Sequence, residues 1–583
     1  MSEAQAFLGV EASVLGRRWQ GPAPEQTRLS EAIAQAADLP PAVCAVLARM
    51  GVLPDQAQAY LAPALRDLLP DPRSLRDMET AGARFLQAVQ NSEKIAIFAD
   101  YDVDGGASAA LLICWLRALG RYATLYIPDR IDEGYGPNAP AMAALAAAHD
   151  LILCVDCGTL SHAPIDAAKG ADVIVLDHHL GEETLPAALA VVNPNRQDES
   201  GDLGHLCAAA VVFLMLVEAN RQLRLLGQTG PDLMGLLDLV ALATVADVAP
   251  LIGVNRAFVR QGLRVMARRQ RIGLRALADV ARLDVPPAAY HLGFVLGPRV
   301  NAGGRIGAAD LGARLLSCDD PAEAEALAER LEHLNAERRE IEAGVRASAL
   351  AQAEARGMEG GLAWAAGDGW HPGVIGIAAA RLKEASNRPA VVIGFEGDSG
   401  KGSGRSVPGI DLGAAVQRLV REGLLEKGGG HKMAAGLSVA RDKLEAAMAR
   451  LETLLAAQGA SRPGARTLRI DSVLMPAAVT TELVAQLEAA GPFGAAASAP
   501  RFAFPDMRIQ SVRRIGETHL RARLSDGQTT SLDAIAFGAF ETELGPLVAT
   551  MQGQRLHVAG RLEVNHWQGR QTLQLRIDDV APP

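Results

Sequence analysis

The stretch IAIFADYDVDGGASAALL, residues 95–112, decides how the middle of this chain is read. Ile95–Ala99 is a short unbroken apolar run, the texture of a strand buried on both faces. It runs straight into Asp100, Asp102 and Asp104, after which Gly105-Gly106 are expected to open a helix over Ala107–Leu119. Three acids at alternate positions just past a strand end are costly unless something cationic offsets them. In open parallel sheets, ligands bind beyond the carboxyl ends of the strands. A bound divalent cation accounts for both facts.

The pattern recurs outward along the chain. Leu151–Val155 ends in Asp156, followed by Cys157-Gly158, and Val173–Leu176 ends in Asp177-His178-His179. One strand ending in a metal-capable side chain is common; three in one sheet are not attributable to chance. A further apolar run, Thr124–Ile127, and the helical stretch Asn138–Ala148 complete an alternation of short strands and helices. Such alternation implies crossover units and a parallel sheet covered on both faces. Asp247 closes the apolar helical stretch LVALATVADVAPL, 239–251. Alone it reads as a helix-terminus acid; it gains weight because the cluster has use for another carboxylate. Hard oxygen donors with imidazole suit Mn²⁺ or Mg²⁺, and several bridging-capable Asp suggest two ions, an arrangement used for phosphoester cleavage. Cys154 and Cys157 form a CxxC without a second pair, so they read as small apolar residues flanking Asp156 rather than as a zinc or redox site.

The remainder divides by texture. Residues 1 to about 90 read as an irregular helical lead-in without chemistry, Ala/Leu-rich and broken by Pro. Over 321–356, Leu327, Leu331, Leu334, Ile341 and Val345 alternate steps of three and four with Arg338 in the remaining slot, which predicts one long amphipathic helix joining two domains. A second, Gly-rich α/β unit covers 360–455, and 461–464 reads as a linker. Beyond it Thr467–Val473, Arg508–Arg514, His519–Leu524, Ser531–Phe537, Arg555–Glu563 and Gln571–Ile577 read as short strands of a small barrel or sandwich, with turns at 525–527 and 568–569. The chain is long enough for three or four domains. Its net charge of −10 argues mildly against a nucleic-acid partner, but says nothing about where charges sit, so a DNA assignment has to rest on a site. Six Cys at this length, no basic-then-apolar leader and no apolar run near the ~18–20 residues of a membrane span point to a soluble cytoplasmic protein.

Taken together, the motifs match a family. DYDVDG at 100–105, VDCG at 155–158, DHH at 177–179 and ATVADVAPL at 243–251 resemble, in order, the four motifs of the DHH phosphoesterases. GGGHKMAAG at 428–436 resembles the signature of the DHH-associated domain. IPDRIDEGYG at 127–136, GPRVNAGGRIG at 297–307 and SGRS at 403–406 narrow the resemblance to the RecJ exonuclease family. The fold it implies is α/β: a helical extension over 1–50, a DHH domain over 51–320, a connecting helix over 321–356, a DHH-associated domain over 357–460 and an OB-fold barrel over 465–583. It implies Asp102, Asp104, Asp156, His178 and Asp247 as metal ligands, Asp156 bridging, with Asp100 less defined and His179 contacting phosphate or supporting a metal. Phe98 stands where pyrophosphatase-like members carry His, which is similar to RecJ. PFGAAASAP at 492–500 departs from the Gly-Asn-Pro step usual after Pro-Phe-Gly.

The activity implied is 5′-to-3′ degradation of single-stranded DNA to 5′-mononucleotides with two Mn²⁺ or Mg²⁺ ions, in recombination and repair. Arg130, Asn301, Arg305, Ser403, Arg405 and His431 are the expected substrate-binding residues, Arg because its planar fork binds phosphate bidentately. In the barrel, Arg508, Arg513, Arg514, Arg521, Arg523, Trp567 and Arg570 are candidates for contact with DNA. A single-stranded-DNA-binding protein and a helicase are implied partners, and a monomer is expected. The rivals are a phosphodiesterase for short RNA or cyclic dinucleotides, whose chains are usually shorter and lack the barrel, and a DNA scaffold with a dead metal site, which intact acids at all four motifs oppose.

Overall fold

The computed structural model describes residues 5–583 except 131, 358–359, 462–465, 528–529 and 568–569; for His566, Trp567 and Arg570 it describes the backbone alone. The expected turn at 568–569 and residues 462–464 of the expected linker therefore lie outside the described residues.

The N-terminal segment holds a short strand, β1 (Arg18–Gln20), and the helices Pro24–Ala36 and Pro41–Arg49. The first sheet follows: β2 (Ile95–Ala99), β3 (Ala123–Tyr126), β4 (Leu151–Val155), β5 (Asp172–Leu176) and β6 (Ala190–Val192), all parallel in the order β3-β2-β4-β5-β6. Every residue of β2 and β4 is buried, as their unbroken apolar runs require. Ile95, Ile97, Leu151 and Leu153 face one core, built with the helices Met78–Asn91, Val103–Ala118 and Ala208–Leu225; Ala96, Phe98, Ile152 and Cys154 face another, with Met142 and Ile165. The chain reverses strand order between β2 and β4, and the crevice beyond that reversal is where such sheets bind ligands. The expectation that Gly105-Gly106 open the next helix needs correcting: the helix starts at Val103. Asp102 Oδ1 accepts the N–H groups of Asp104 (2.8 Å) and Gly105 (3.1 Å) as its N-cap, which puts Asp104 inside the first turn.

One helix spans Pro321–Arg356, capped by Asp320 Oδ1 on Glu323 N–H. Leu327 and Leu331 belong to the first core; Val345, Ala349 and Ala353 pack on the second unit. Arg338 sits buried in the apolar stripe because Glu342 and Asn335 take its guanidinium at 2.7 and 2.9 Å. The second sheet runs β7 (Ala363–Asp368), β8 (Ala390–Glu396), β9 (Ser399–Arg405), β10 (Lys427–His431) and β11 (Ala434–Ala440), in the order β10-β11-β9-β8-β7, with only β7 and β8 parallel.

The C-terminal part is a closed barrel. The single strand expected over Thr467–Val473 is two, β12 (Thr467–Arg469) and β13 (Ser472–Val473), because Asp471 turns inward to pair with Arg49 at 2.6 Å. β14 (Phe502–Ile515), β15 (His519–Ser525), β16 (Ser531–Ala536), β17 (Arg555–Trp567) and β18 (Arg570–Ala581) follow in the order β14-β15-β16-β18-β17, and β17 closes onto β14. β14, β15, β17 and β18 run beyond the sequence reading and β16 stops one residue short of it, and the helices Thr481–Ala489 and Leu544–Thr550 lie between strands where none was read. β1 pairs in parallel with β12, Trp19 opposite Leu468, and Ile33, Val43 and Leu47 share one core with Phe502, Phe504 and Leu556. No helix among the described residues is long and apolar enough to cross a membrane.

Arg256, on the helix Gly253–Ala267, pins the barrel to the first unit. It is buried, lies 3.3 Å over the Tyr60 ring, and donates to the carbonyls of Tyr60, Ala490 and Gly491 at 2.9–3.1 Å. Arg256→Ala would strand those carbonyls, at a cost of about 3 kcal/mol or more. Limited proteolysis is expected to release the barrel faster from this variant; wild-type cleavage kinetics would show that other contacts suffice.

Candidate active site

The register Ala99↔Val155↔Leu176 sets Asp100, Asp156 and Asp177, the next residue of each strand, side by side at the carboxyl edge of the sheet. Backbone bonds continue the ladder through all three, Asp156 N–H to Leu176 O at 3.0 Å and Asp177 N–H to Val192 O at 3.1 Å. Asp156 has φ 60°, a conformation held only where surroundings enforce it. Gly105 is needed beside Asp100: a Cβ there would stand 2.4 Å from the Asp100 carbonyl oxygen.

Asp104 reaches across to the helix Ala208–Leu225, where its two oxygens accept the N–H groups of Ala208 (2.7 Å) and Ala209 (2.8 Å). His178 Nε2 lies 3.2 Å from Asp156, 3.7 Å from Asp104 and 3.8 Å from Asp247, which caps the helix Leu237–Ala246. Three overlapping groups of potential ligands result: Asp100, Asp102 and Asp156; Asp104, His178 and Asp247; Asp156, His178 and His179. The atoms fit divalent cations. Asp100 Oδ1, Asp156 Oδ1 and His178 Nε2 are buried without a hydrogen-bond partner, and donors about 2.1 Å from one ion stand about 3–4 Å apart. Cys154 and Cys157 belong to none of these groups; both are buried in the core, as the sequence reading held. Burial, then neighbouring carboxylates, push Asp100 and Asp156 well up and Asp247 up to about 8; burial raises Asp104 too, although His178 and its two N–H donors pull the other way. A cluster held at this electrostatic cost is what added positive charge relieves.

Residues outside the expected set hold the cluster. Asp177 offers no free oxygen: Oδ1 takes the N–H groups of His178 and His179 and the His179 ring at 2.8 Å, and Oδ2 takes Thr159 N–H at 3.0 Å. Against desolvation, that bond and the Asp177 charge push His179 up to about 9. Tyr135 donates to the Asp156 carbonyl at 3.0 Å and lies 3.2 Å from the His179 ring. Asn301, expected on the substrate, accepts Val103 N–H at 3.1 Å and so supports the acid-bearing turn.

A cationic site lies beside the carboxylates. Arg130 stands 5.1 Å over the Tyr101 ring. Burial first, then Arg130, pulls down Arg305 (to about 10), Arg405 and the neighbouring His371, so these cations share one field. Arg405 Nη1 donates to Ser403 Oγ at 3.0 Å. Arg130, Arg305 and Arg405 make no ion pair among the described residues, and the helix Pro372–Ser386 starts here, capped by His371. His371 carried no motif and escaped the sequence reading. His431 is exposed in the row of Arg405, two strands and about 10 Å away through Ala434.

On the barrel, the pairings Arg513↔Arg521, Arg521↔Ile535, Ile535↔Arg576 and Arg576↔Arg561 lay four arginines in one row across five strands. Arg523 bonds Ser531 in the next row, Arg508 is exposed on the same strand as Arg513, and Arg514 is engaged by Glu517 O and the Phe540 ring. The side chains of Trp567 and Arg570 lie outside the described residues. Arg561 and Arg576 were missed because only strand register reveals them.

Three family descriptions match in chain order: DHH family, N-terminal domain, over residues 94–244; DHHA1 domain over 359–457; RecJ OB domain over 470–579. The chain is 38% identical to the single-stranded-DNA-specific exonuclease RecJ of Dickeya dadantii, over 94% of this chain and 97% of that one. Its fold is similar to RecJ from Thermus thermophilus in complex with Mn²⁺, with TM-score 0.80 and 30% identity over 97% of this chain and 80% of that one. The same comparison with the Mg²⁺ complex gives TM-score 0.74 and 29% identity, over 97% and 78%.

Proposed function

Because the chain belongs to the RecJ family of single-stranded-DNA-specific exonucleases, we propose that it degrades single-stranded DNA from the 5′ end and releases 5′-mononucleotides. The observation that carries this reading is the pairing of orphaned, buried carboxylate and imidazole atoms with a neighbouring set of arginines that make no ion pair among the described residues.

Asp100, Asp102, Asp104, Asp156, His178 and Asp247 would hold two Mn²⁺ or Mg²⁺ ions, which supply activation of the attacking water and stabilisation of the leaving 3′-oxygen. Arg130, Arg305, Arg405 and Ser403 bind the terminal 5′-phosphate, so the strand is measured from that end. Asp177 orients the His179 ring toward the scissile phosphate and holds the His178 backbone N–H. The arginine row of the barrel tracks the backbone of the uncut strand. A groove that admits one strand excludes duplex sterically. Duplex must then be opened first, which makes a helicase and a single-stranded-DNA-binding protein the expected partners in recombination and repair, with the enzyme itself a cytoplasmic monomer.

A single-stranded oligonucleotide labelled at either end, with a 5′-phosphate or a 5′-hydroxyl, tests this in Mn²⁺. Early release of 5′-labelled mononucleotide is expected. Arg405→Ala should lose about 10–100-fold on the 5′-phosphorylated strand alone, the value of a charged hydrogen-bonded contact. Release from the 3′ end, or internal cuts, would overturn the polarity.

A further inference from the structure

Between Arg264 and Arg282 this chain of net charge −10 carries six arginines and one acid, Asp279. Four of the six, Arg269, Arg271, Arg275 and Arg282, line a cavity of about 660 Å³, bordered by the end of the helix Gly253–Ala267 and one side of the helix Ile272–Val280. Sites that hold small organic ligands are of this size. Buried Met266, Leu274 and Ala278 give it an apolar floor, which Leu283, Val285 and Pro286 extend along the following loop.

Two of the four arginines are spent on the fold. Arg271 donates to Asp238 at 2.9 Å and to the Gly235 carbonyl at 3.0 Å, and Arg269 pairs with Asp279. Arg275 and Arg282 are exposed at the mouth, and among the described residues their side chains make neither an ion pair nor a hydrogen bond. Arg282 also has φ 55°, directly after the C-cap Ala281, where glycine costs less. Asp284, exposed beside it, makes no ion pair among the described residues.

The cavity stands apart from the carboxylate cluster. Asp238 lies in the first turn of the helix Leu237–Ala246, and Asp247 caps the other end, about 14 Å along the axis. Arg271 also reaches Cys114 Sγ at 3.5 Å, late in the helix whose first turn holds Asp104. The cavity therefore abuts the far ends of both helices that carry acids to the cluster.

We propose that this cavity is a separate nucleotide site, which takes a nucleoside 5′-phosphate. Arg275 and Arg282 hold the phosphate, since a guanidinium fork matches its oxygens. The apolar floor takes the base, and Asp284 accepts a hydrogen bond from a sugar hydroxyl. A free mononucleotide carries that hydroxyl, whereas the interior of a strand has its 3′-oxygen esterified. Two sources supply this chemistry: the mononucleotides released by the reaction proposed above, and the cell's nucleoside triphosphates. The product as source rests on the nuclease reading; the site itself does not.

Calorimetric titration in EDTA with dAMP, ATP and inorganic phosphate tests the site, in an Arg405→Ala background that weakens phosphate binding beside the carboxylate cluster. One nucleotide per chain is expected to bind, and inorganic phosphate at least about tenfold more weakly, because it leaves the apolar floor uncovered. Adding Arg275→Ala and Arg282→Ala should weaken nucleotide binding at least about 30-fold, as loss of charged hydrogen bonds does, with the melting temperature unchanged. Arg275→Lys with Arg282→Lys should keep part of the affinity. Tighter dAMP would assign the product and tighter ATP the triphosphate pool; either upholds the site. Equal titrations with and without the two alanines would overturn it, as would phosphate binding as tightly as the nucleotides. In the otherwise wild-type chain the two alanines should leave kcat/KM for a single-stranded oligonucleotide unchanged; a fall would place these arginines on the DNA strand and overturn the proposal. Nucleotide binding lost with the two alanines, in a chain that cuts no DNA, would uphold the cavity and sink the nuclease reading.

Discussion

Asp156→Asn is expected to abolish turnover while making the metal-free protein more stable. Asp156 enters two of the three candidate ligand groups and lies 3.2 Å from His178, so its loss unsettles both halves of the centre. Activity should fall at least about 10³-fold, beyond the 10–100-fold that removing a residue supporting a metal ligand costs. The stability effect has the opposite sign. Burial and the charges of Asp104, Asp102 and Asp100 push the Asp156 carboxyl well up, so at pH 8 folding has to hold a proton there or bear the charge. Asn avoids both. The melting temperature in EDTA should rise by about 2–4 °C, the shift that 1 kcal/mol gives in a unit of 150–250 residues. A variant that is inactive and less stable would show that Asp156 serves packing rather than chemistry.

Metal removal should have the second large effect, with a pH dependence fixed by the same carboxyls. Chelation is expected to abolish cleavage. Asp100, Asp104, Asp156 and Asp247 are all raised in the folded state, Asp247 to about 8. Between the unfolded carboxylate value of about 4 and those folded values, the native chain binds more protons than the unfolded one, so stability falls as pH rises. His179, held up to about 9 by Asp177, adds the same sign: its contribution is complete below about 6.5 and lost through 9. A divalent cation reverses the trend, because it needs the carboxylates ionised. The melting temperature in EDTA should drop from pH 5 to pH 8.5. The gain on adding Mn²⁺ should grow over that range, reaching about 2.7 kcal/mol at a hundredfold excess over the dissociation constant. Parallel curves with and without metal would mean that the raised acids are not where the metal sits.

The first sheet and its acids were legible because a buried parallel strand has to be apolar throughout, so its end is sharp: Ile95–Ala99 stops at Asp100 and the register does the rest. The long helix was equally readable, since Leu327, Leu331 and Val345 mark a stripe that only a helix can bury. Asp177 stood in a quoted motif, but sequence spacing cannot tell a metal ligand from an acid whose lone pairs are spent on His179 and Thr159. His371 and the Arg561–Arg576 row depend on long-range approach and strand register, which leave no local trace. Barrel strand lengths were underestimated because β14 and β17 carry polar residues on an open face and shift register at Phe504/Met507, which breaks the alternation.

The pairing of β1 with β12 bears on how the chain comes off the ribosome. Trp19 finds Leu468 only after about 450 further residues have been made, roughly 20–90 s at ordinary rates of synthesis. Through that interval the first and second units can fold in sequence, while Ile33, Val43 and Leu47 have no barrel to cover them. The leading segment therefore waits as an unmatched apolar surface, and the last strands to emerge are those that retire it.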